Sequence, residues 1–168
     1  MTTGSASHLQ HLKLEGMEHA HSEEEIYKAN GIPFIVPELR EGIFEFEWIK
    51  TKSCNSLIEL RDLKGILHNH TTWSDGAHSL REMAEYCKSL GYEYLGICDH
   101  SKSAVYANGL APERVIAQQK EMDALNSELA PFRIFKGIES DILSSGALDY
   151  DEDILKTFDF VVASVHSV

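Results

Sequence analysis

Histidine and aspartate residues cluster in one short segment in a pattern that could bind a metal ion. The segment LHNHTTWSDG, residues 67–76, places His68 and His70 one residue apart and Asp75 five residues later. Imidazole nitrogens and carboxylate oxygens are common ligands of Zn²⁺ and Mn²⁺. Taken alone, the segment is better explained as a polar turn, because an isolated His-x-His is more often a surface feature than a ligand pair.

The same residue types follow three later apolar runs. They are Asp99 and His100 in ICDHS, Glu139 and Asp141 in GIESDIL, and His166 in VASVHS. Each has an ordinary alternative: an aspartate can cap a turn, an acid can be solvated, and a histidine can lie satisfied in a core. These alternatives do not explain why four successive apolar runs end in ligand-type residues. The joint pattern therefore favours a metal centre.

The elements that would position these residues alternate between strand and helix from about residue 62 onward. We predict strands at 62–67, 92–98, 133–138 and 158–165, and helices at 79–92, 111–130 and 150–156. Apolar stripes mark the two longer helices, one made of Leu80, Met83, Ala84, Cys87 and Leu90, the other of Val115, Ile116, Met122, Leu125 and Leu129. Alternation of this kind is typical of parallel βαβ units.

A parallel sheet would bring the candidate ligands together. The carboxyl ends of parallel strands share one edge, which is where α/β proteins build their sites. Residues i and i+2 of an extended strand point to the same side, so His68 and His70 can face one cation. A carboxylate such as Glu139 can bridge two metal ions about 3.5–4 Å apart, as in phosphate-ester displacement.

The first part of the chain is less regular. Ser22 and Gly31 delimit a predicted short helix at 22–31. An extended connector containing two prolines follows, and alternation predicts a short strand at 43–48. Four further histidines have no strand-end context and are predicted to be surface residues, namely His8, His11, His19 and His21.

Composition narrows the possible classes of protein. The chain has 168 residues, 43% hydrophobic content and a formal net charge of −12. No apolar run is long enough to cross a membrane and the N-terminus lacks the features of a secretory signal. Three widely spaced cysteines, Cys54, Cys87 and Cys98, suit a reducing compartment, so we expect a cytoplasmic protein. The acidic charge disfavours tight nucleic-acid binding by this chain alone but suits divalent cations.

The four segments LHNHTTWSDG, ICDHS, GIESDIL and VASVHS resemble successive motifs of the PHP domain, the polymerase and histidinol phosphatase family. The resemblance implies a distorted (β/α)₇ barrel that hydrolyses phosphoesters with up to three divalent metals, zinc, manganese or iron. By position, His68, His70 and Glu139 would hold the first metal, Glu139 and His166 the second, and Asp75 and His100 the third. Glu139 and Asp99 are the expected catalytic residues, with Asp99 orienting a histidine; the role of Asp141 stays open.

The segments TGSASHLQHLKL (3–14) and EEEIYKANGIPFIVPELREG (23–42) resemble the thumb of bacterial family X DNA polymerases. This implies a thumb-like segment at 1–48, a linker at 49–62 and the N-terminal part of a PHP domain at 63–168. The expected fold class is α/β: a partial (β/α)₇ TIM-like PHP barrel preceded by a small α+β thumb remnant.

The resemblance implies 3′–5′ exonuclease action on DNA 3′ ends in repair, with no membrane partner. The palm, the fingers and the later PHP motifs have no counterpart in this sequence, so we expect a fragment that is incomplete as an enzyme. Two alternatives remain open: a small-molecule phosphatase similar to histidinol-phosphate phosphatase, and a non-catalytic scaffold module of the polymerase.

Overall fold

The computed structural model describes residues 3–51 and 57–166 and divides the chain into two compact units, Met1–Ile58 and Glu59–Val168. Cys54, within the predicted linker 49–62, lies outside the described residues. Cys87 and Cys98 are buried free thiols. Among the helices that the structure describes, none is long and apolar enough to cross a membrane.

The first unit is built from short helices. They are α1 (Ala6–Gln10), α2 (Glu23–Ala29), a 3-10 turn (Pro37–Leu39) and α3 (Glu45–Thr51). The predicted helix at 22–31 is confirmed: the Ser22 side chain accepts a hydrogen bond from the Glu25 amide and caps α2. Leu12, Tyr27 and Ile35 form the buried core of this unit.

The strand predicted at 43–48 is wrong, because this segment begins helix α3. The Glu45 carboxylate accepts hydrogen bonds from the amides of Gly42, Ile43 and Phe44 at 2.6, 2.9 and 3.1 Å, so it holds the turn that leads into the helix, at the end where a negative charge is favourable. The described residues of this unit contain no strand, so nothing there could pair with a strand at 43–48. The unit is helical rather than α+β.

The prediction that His8 is a surface residue is also wrong. Its side chain is fully buried, with Nδ1 2.7 Å from Glu45 Oε1 and Nε2 2.6 Å from the Tyr27 hydroxyl. His11, His19 and His21 are exposed, as predicted. His8 has no strand-end context, and its burial comes from packing between helices.

The second unit is an α/β layer with four parallel strands. Its elements are β1 (Gly65–Asn69), α4 (Leu80–Ser89), β2 (Tyr94–Ile97), α5 (Pro112–Glu128), β3 (Arg133–Asp141), α6 (Glu152–Leu155) and β4 (Phe160–Ser164). The strand order β1-β2-β3-β4 follows the chain, and each neighbouring pair is parallel. The predicted α/β class is therefore confirmed, and the sheet is compatible with part of a PHP barrel.

Helices α4 and α5 cover the sheet with the apolar faces that the sequence predicted, apart from two residues. Leu80, Ala84, Cys87, Met122 and Leu125 join the strand residues in one buried cluster. Leu90 is 54% exposed because α4 has ended and Leu90 is its C-cap. Ile116 is 44% exposed, since it lies one position, about 100° of helix rotation, from buried Val115.

Strand β3 is longer than predicted and carries two of the acidic residues. It extends to Asp141, where the sequence predicted an end at residue 138. In the register with β4, Glu139 pairs with Val162 and Asp141 with Ser164. Both residues therefore lie within the strand, where sheet hydrogen bonds hold their backbone, and not on a loop.

Candidate metal centre

Histidines 68 and 70 reach the site through an irregularity in β1. The register between β1 and β2 shifts between Ile66 and Asn69, and His68 has a φ of 63°, in the left-handed region. The imidazoles of His68 and His70 still lie side by side, with ring centroids 5.6 Å apart and planes 22° apart. Regular alternation along an extended strand is therefore not the reason for their proximity. The register shift and the left-handed backbone of His68 set their direction, and such irregularities of a strand are common next to active sites.

Glu139 lies at the middle of four imidazoles. Its Oε1 is 3.4 Å from His68 Nε2 and 3.2 Å from His166 Nε2. Its Oε2 is 3.3 Å from His70 Nε2 and 3.3 Å from His100 Nδ1. These four histidines come from the ends of β1, β2 and β4, so the shared edge of the sheet is what assembles them.

Three overlapping groups of side chains have donor atoms close enough to hold a metal ion. Within the described residues, the groups are His68, His70 and Glu139; His70, Asp75 and His100; and His100, Glu139 and His166. All six residues predicted as ligands are thus brought together. His70 and His100 each belong to two groups, a sharing that the sequence did not indicate.

The spacing of the donor atoms fits a divalent cation. Two ligand atoms that each lie about 2.1 Å from one cation, at tetrahedral or octahedral angles, are about 3.0–3.4 Å apart. The four distances from Glu139 to the imidazoles, 3.2–3.4 Å, match that separation. The buried Nδ1 of His100 makes no hydrogen bond in the part of the chain that is described, although Glu139 is beside it. An unpaired lone pair at this position suits a metal ligand.

The charge states of the site also suit cation binding. Burial, together with the nearby His70, lowers the pKa of His100, which keeps its imidazole neutral and able to donate a lone pair. Burial of Glu139 favours its protonated form, but the hydrogen bond from His68 and the neighbouring imidazoles outweigh burial and lower the pKa of Glu139. Asp75 behaves in the same way, with His70 as its main partner. At His100 the neutral imidazole is favoured, and at Glu139 and Asp75 the ionised carboxylate is favoured.

Asp141 holds the imidazole of His166. Its Oδ1 lies within hydrogen-bond distance of His166 Nδ1, and its other oxygen accepts from the Ser103 hydroxyl. This pairing leaves His166 Nε2 facing Glu139, the arrangement in which a carboxylate orients a metal-binding histidine. It also raises the pKa of His166. The sequence left the role of Asp141 open, although its place two residues after Glu139 on a strand put both on one side.

Asp99 shapes the loop that carries Asp75. Its fully buried carboxylate accepts two hydrogen bonds from Thr71, two from Ser74 and one from Gln118. The prediction that Asp99 orients a histidine does not match this geometry, because its described partners are loop and helix residues. Gly76 closes the loop, and any side chain there would lie 2.3 Å from the His70 carbonyl oxygen.

Comparisons with known proteins agree with this site. The sequence profile of the PHP domain matches residues 67–168. The chain is 53% identical over 146 residues to the DNA polymerase/3′-5′ exonuclease PolX of Bacillus subtilis (strain 168), which covers 87% of this chain and 25% of that protein. It is 37% identical over 106 residues to a protein named "Probable phosphatase" from Acetivibrio thermocellus, covering 60% of this chain and 40% of that protein.

The chain thus spans a quarter of the length of the first relative and two-fifths of the second. The PHP match begins at Leu67 in β1 and takes in the whole of the candidate metal centre. The chain belongs to the PHP domain family.

Proposed function

We propose that this chain is the phosphoesterase part of a bacterial family X DNA polymerase and that it removes nucleotides from DNA 3′ ends during repair. The observation that carries the proposal is the convergence of four histidines on Glu139 at the sheet edge. A carboxylate shared in this way can bridge two divalent cations, and paired cations stabilise the attacking and leaving oxygens in phosphodiester hydrolysis.

Each residue has a role that follows from its contacts. His68, His70 and Glu139 would hold one cation, Glu139 and His166 a second, and Asp75 and His100 a third, because a neutral imidazole has one free lone pair and serves one cation at a time. When bound, such cations act as Lewis acids that stabilise charge on the phosphate and ease the ionisation of water. Asp141 fixes the orientation of His166. Asp99 positions the Thr71–Asp75 loop and is assigned a structural role in place of a catalytic one.

The length of the polymerase match favours a polymerase over a stand-alone phosphatase. The second unit, Glu59–Val168, is 110 residues long. The 146-residue match to the Bacillus protein must therefore extend into the first unit, whereas the 106-residue match to the phosphatase is short enough to lie within the second. A small-molecule phosphatase has no need of the first unit.

Contacts within the first unit support its assignment as a polymerase thumb remnant. The Ser5 amide donates to the Arg40 carbonyl oxygen at 2.8 Å, so the TGS turn is tied to the PELREG segment. The Arg40 guanidinium is buried, donates to Glu23 at 2.7 Å and lies 5.1 Å from the Tyr27 ring centroid. The two segments that resemble a thumb thus form one packed structure.

The proposal extends to the setting of the reaction. We infer zinc, manganese or iron as the cations, a seven-stranded barrel in the complete domain and a cytoplasmic location. DNA would be held mainly by other parts of the polymerase, because a chain with a net charge of −12 repels a phosphate backbone.

The test is hydrolysis of a 5′-labelled DNA strand by the complete protein that carries this chain. We expect 3′-to-5′ shortening that stops after chelation and returns when Mn²⁺ or Zn²⁺ is added. Metal-free protein that trims DNA as fast as the metal-loaded form would contradict the proposal.

The same assay separates the alternatives. Faster turnover of histidinol phosphate than of single-stranded DNA would indicate a small-molecule phosphatase. Metal binding without turnover of either substrate would indicate a scaffold module. The 3′–5′ exonuclease proposal predicts that DNA is the better substrate.

A further inference from the structure

Tyr106 is an exposed aromatic residue beside the metal centre. It lies on a 3-10 turn, Val105–Ala107, and is 72% exposed. Its ring centroid is 6.0 Å from that of His100 and 6.3 Å from that of His166, at interplanar angles of 62° and 73°. Neither imidazole therefore stacks parallel to the phenol ring.

The loop that carries Tyr106 is held firmly at both ends. Ser101 and Leu110 form a β-bridge, and the Leu110 amide donates to the His100 carbonyl oxygen at 2.8 Å. Asn108, with a φ of 56°, donates to the Trp73 carbonyl oxygen at 3.2 Å. The Ser103 amide donates to Asp149 at 2.6 Å. A residue on such a loop keeps its place relative to the metal centre.

The packing of this loop does not use the Tyr106 ring. Ala104 and Ala107, on either side of the turn, are buried and fasten it to the unit. Val105 and Tyr106 point outward and are 81% and 72% exposed. Exposing an aromatic ring on a fixed loop forgoes the free energy of burying it. A ligand that covers the ring would recover that energy.

We propose that Tyr106 binds substrate by stacking on the base of the 3′-terminal nucleotide while the adjoining phosphate lies on the metal centre. This inference rests on the exonuclease function proposed above. In a nucleotide, one sugar separates the base from its phosphate. The Tyr106 ring likewise lies close to the candidate metal ligands, with its centroid 6.0 Å from that of His100 and 6.3 Å from that of His166. Stacking tolerates every base, because each has a π-face, so it suits an enzyme that removes nucleotides without regard to sequence.

The experiment compares two 5′-labelled oligonucleotides in the complete protein, one ending in thymidine and one ending in an abasic tetrahydrofuran residue. The variants are Tyr106→Ala, Tyr106→Phe and, as a matched control, Tyr86→Ala, which removes a 65% exposed tyrosine from α4. Bound metal is measured for each variant, so that damage to the centre is recognised separately.

We expect Tyr106→Ala to raise KM about tenfold on the thymidine end, the effect of losing one stacked base. Its KM on the abasic end and its metal content should match the wild type. Tyr106→Phe should recover most of the loss, and Tyr86→Ala should behave as the wild type.

Equal losses on the two substrates, or no loss on either, would overturn the stacking role. A wild-type protein that binds metal but does not cleave DNA would overturn the exonuclease function itself, and with it this inference. The two failures are thus distinguishable: only the second removes wild-type cleavage.

Discussion

The two units each contain a buried histidine beside a glutamate, but the two histidines differ in how many of their ring nitrogens have a partner. In the first unit, His8 has both ring nitrogens paired, with Glu45 and with Tyr27, and its side chain is fully buried. In the second, His100 Nδ1 is buried without a hydrogen bond among the described residues, and Glu139 faces four imidazoles. The residue types are the same, but one pair is complete and the other has spare donor capacity.

This difference shows what distinguishes a structural pair from a metal site. Buried polar groups are normally satisfied, so a buried nitrogen without a hydrogen bond among the described residues, as at His100, is available to a ligand. Glu45 takes three backbone amides as well as His8, which leaves it nothing to offer a cation. Glu139 offers both oxygens to side chains that are themselves metal ligands by type.

Removing the charge of Glu139 should have the largest effect. We expect Glu139→Gln to lower the rate of metal-dependent hydrolysis by about 10³-fold or more, because the attraction between this carboxylate and bound cations is worth several kcal/mol. Activity and bound metal should be measured together in the complete protein. The control is Glu113→Gln, which changes an exposed acid on α5. An active Glu139→Gln protein would show that Glu139 is not a ligand of the metal centre.

Acid should weaken the first unit through Glu45. Burial opposes ionisation of Glu45, but the hydrogen bonds from His8 and the backbone amides lower its pKa from 4.5 to about 2. A carboxyl with a depressed folded pKa stabilises the unit fully above its unfolded pKa. That contribution, up to about 3 kcal/mol, is lost as the pH falls from 4.5 to 2.

Denaturant unfolding at a series of pH values checks this prediction. The wild type should lose stability across that window, and Glu45→Gln should lack this portion of the pH dependence while binding metal normally at pH 7. Identical pH profiles for the two proteins would show that Glu45 is not the acid-sensitive group.

Asp141→Asn should lower the affinity of the second unit for metal by about 10–100-fold, which is the usual effect of removing a group that orients a ligand. The cause is loss of the charged acceptor at His166 Nδ1. Isothermal titration with Mn²⁺ measures it. Ser103→Ala, which removes only the neutral partner of Asp141, should have a smaller effect, and the reverse order would contradict the assignment.

Asp99→Asn should have the smallest effect on the centre and act mainly on stability. An amide can accept fewer of the five hydrogen bonds that Thr71, Ser74 and Gln118 donate, which costs about 1–3 kcal/mol of unfolding free energy. Thermal denaturation measures this loss. If Asp99→Asn instead abolished hydrolysis with its stability intact, Asp99 would be catalytic after all.

The sequence was most informative where residue spacing follows regular secondary structure. Alternating strands and helices in the second unit, and the ligand-type residues at or just after the strand ends, follow from periodicity and from the shared edge of a parallel sheet. The irregularity at His68 could not be predicted, because its left-handed backbone depends on pairing with β2.

Tertiary packing explains the other positions at which the structure differs from the sequence prediction. Alternation at 43–48 fits a strand, but the Glu45 carboxylate holds the turn that leads into helix α3, and His8 is buried through contacts with residues distant in sequence. Asp99 faces Thr71 and Ser74 rather than a histidine for the same reason. Tertiary contacts decide such positions, and local patterns do not record them.

The central claim is that strand-end histidines, and not histidines in general, bind metal. The chain offers a matched test, since His19 and His21 are also separated by one residue but are exposed in the first unit. Bound metal per chain should be measured after equilibration with Mn²⁺ or Zn²⁺ and removal of excess. We predict one or more bound ions in the wild type and in the His19→Ala, His21→Ala double variant, and loss of metal in the His68→Ala, His70→Ala double variant. No bound metal in the wild type, or equal metal in both double variants, would contradict the account.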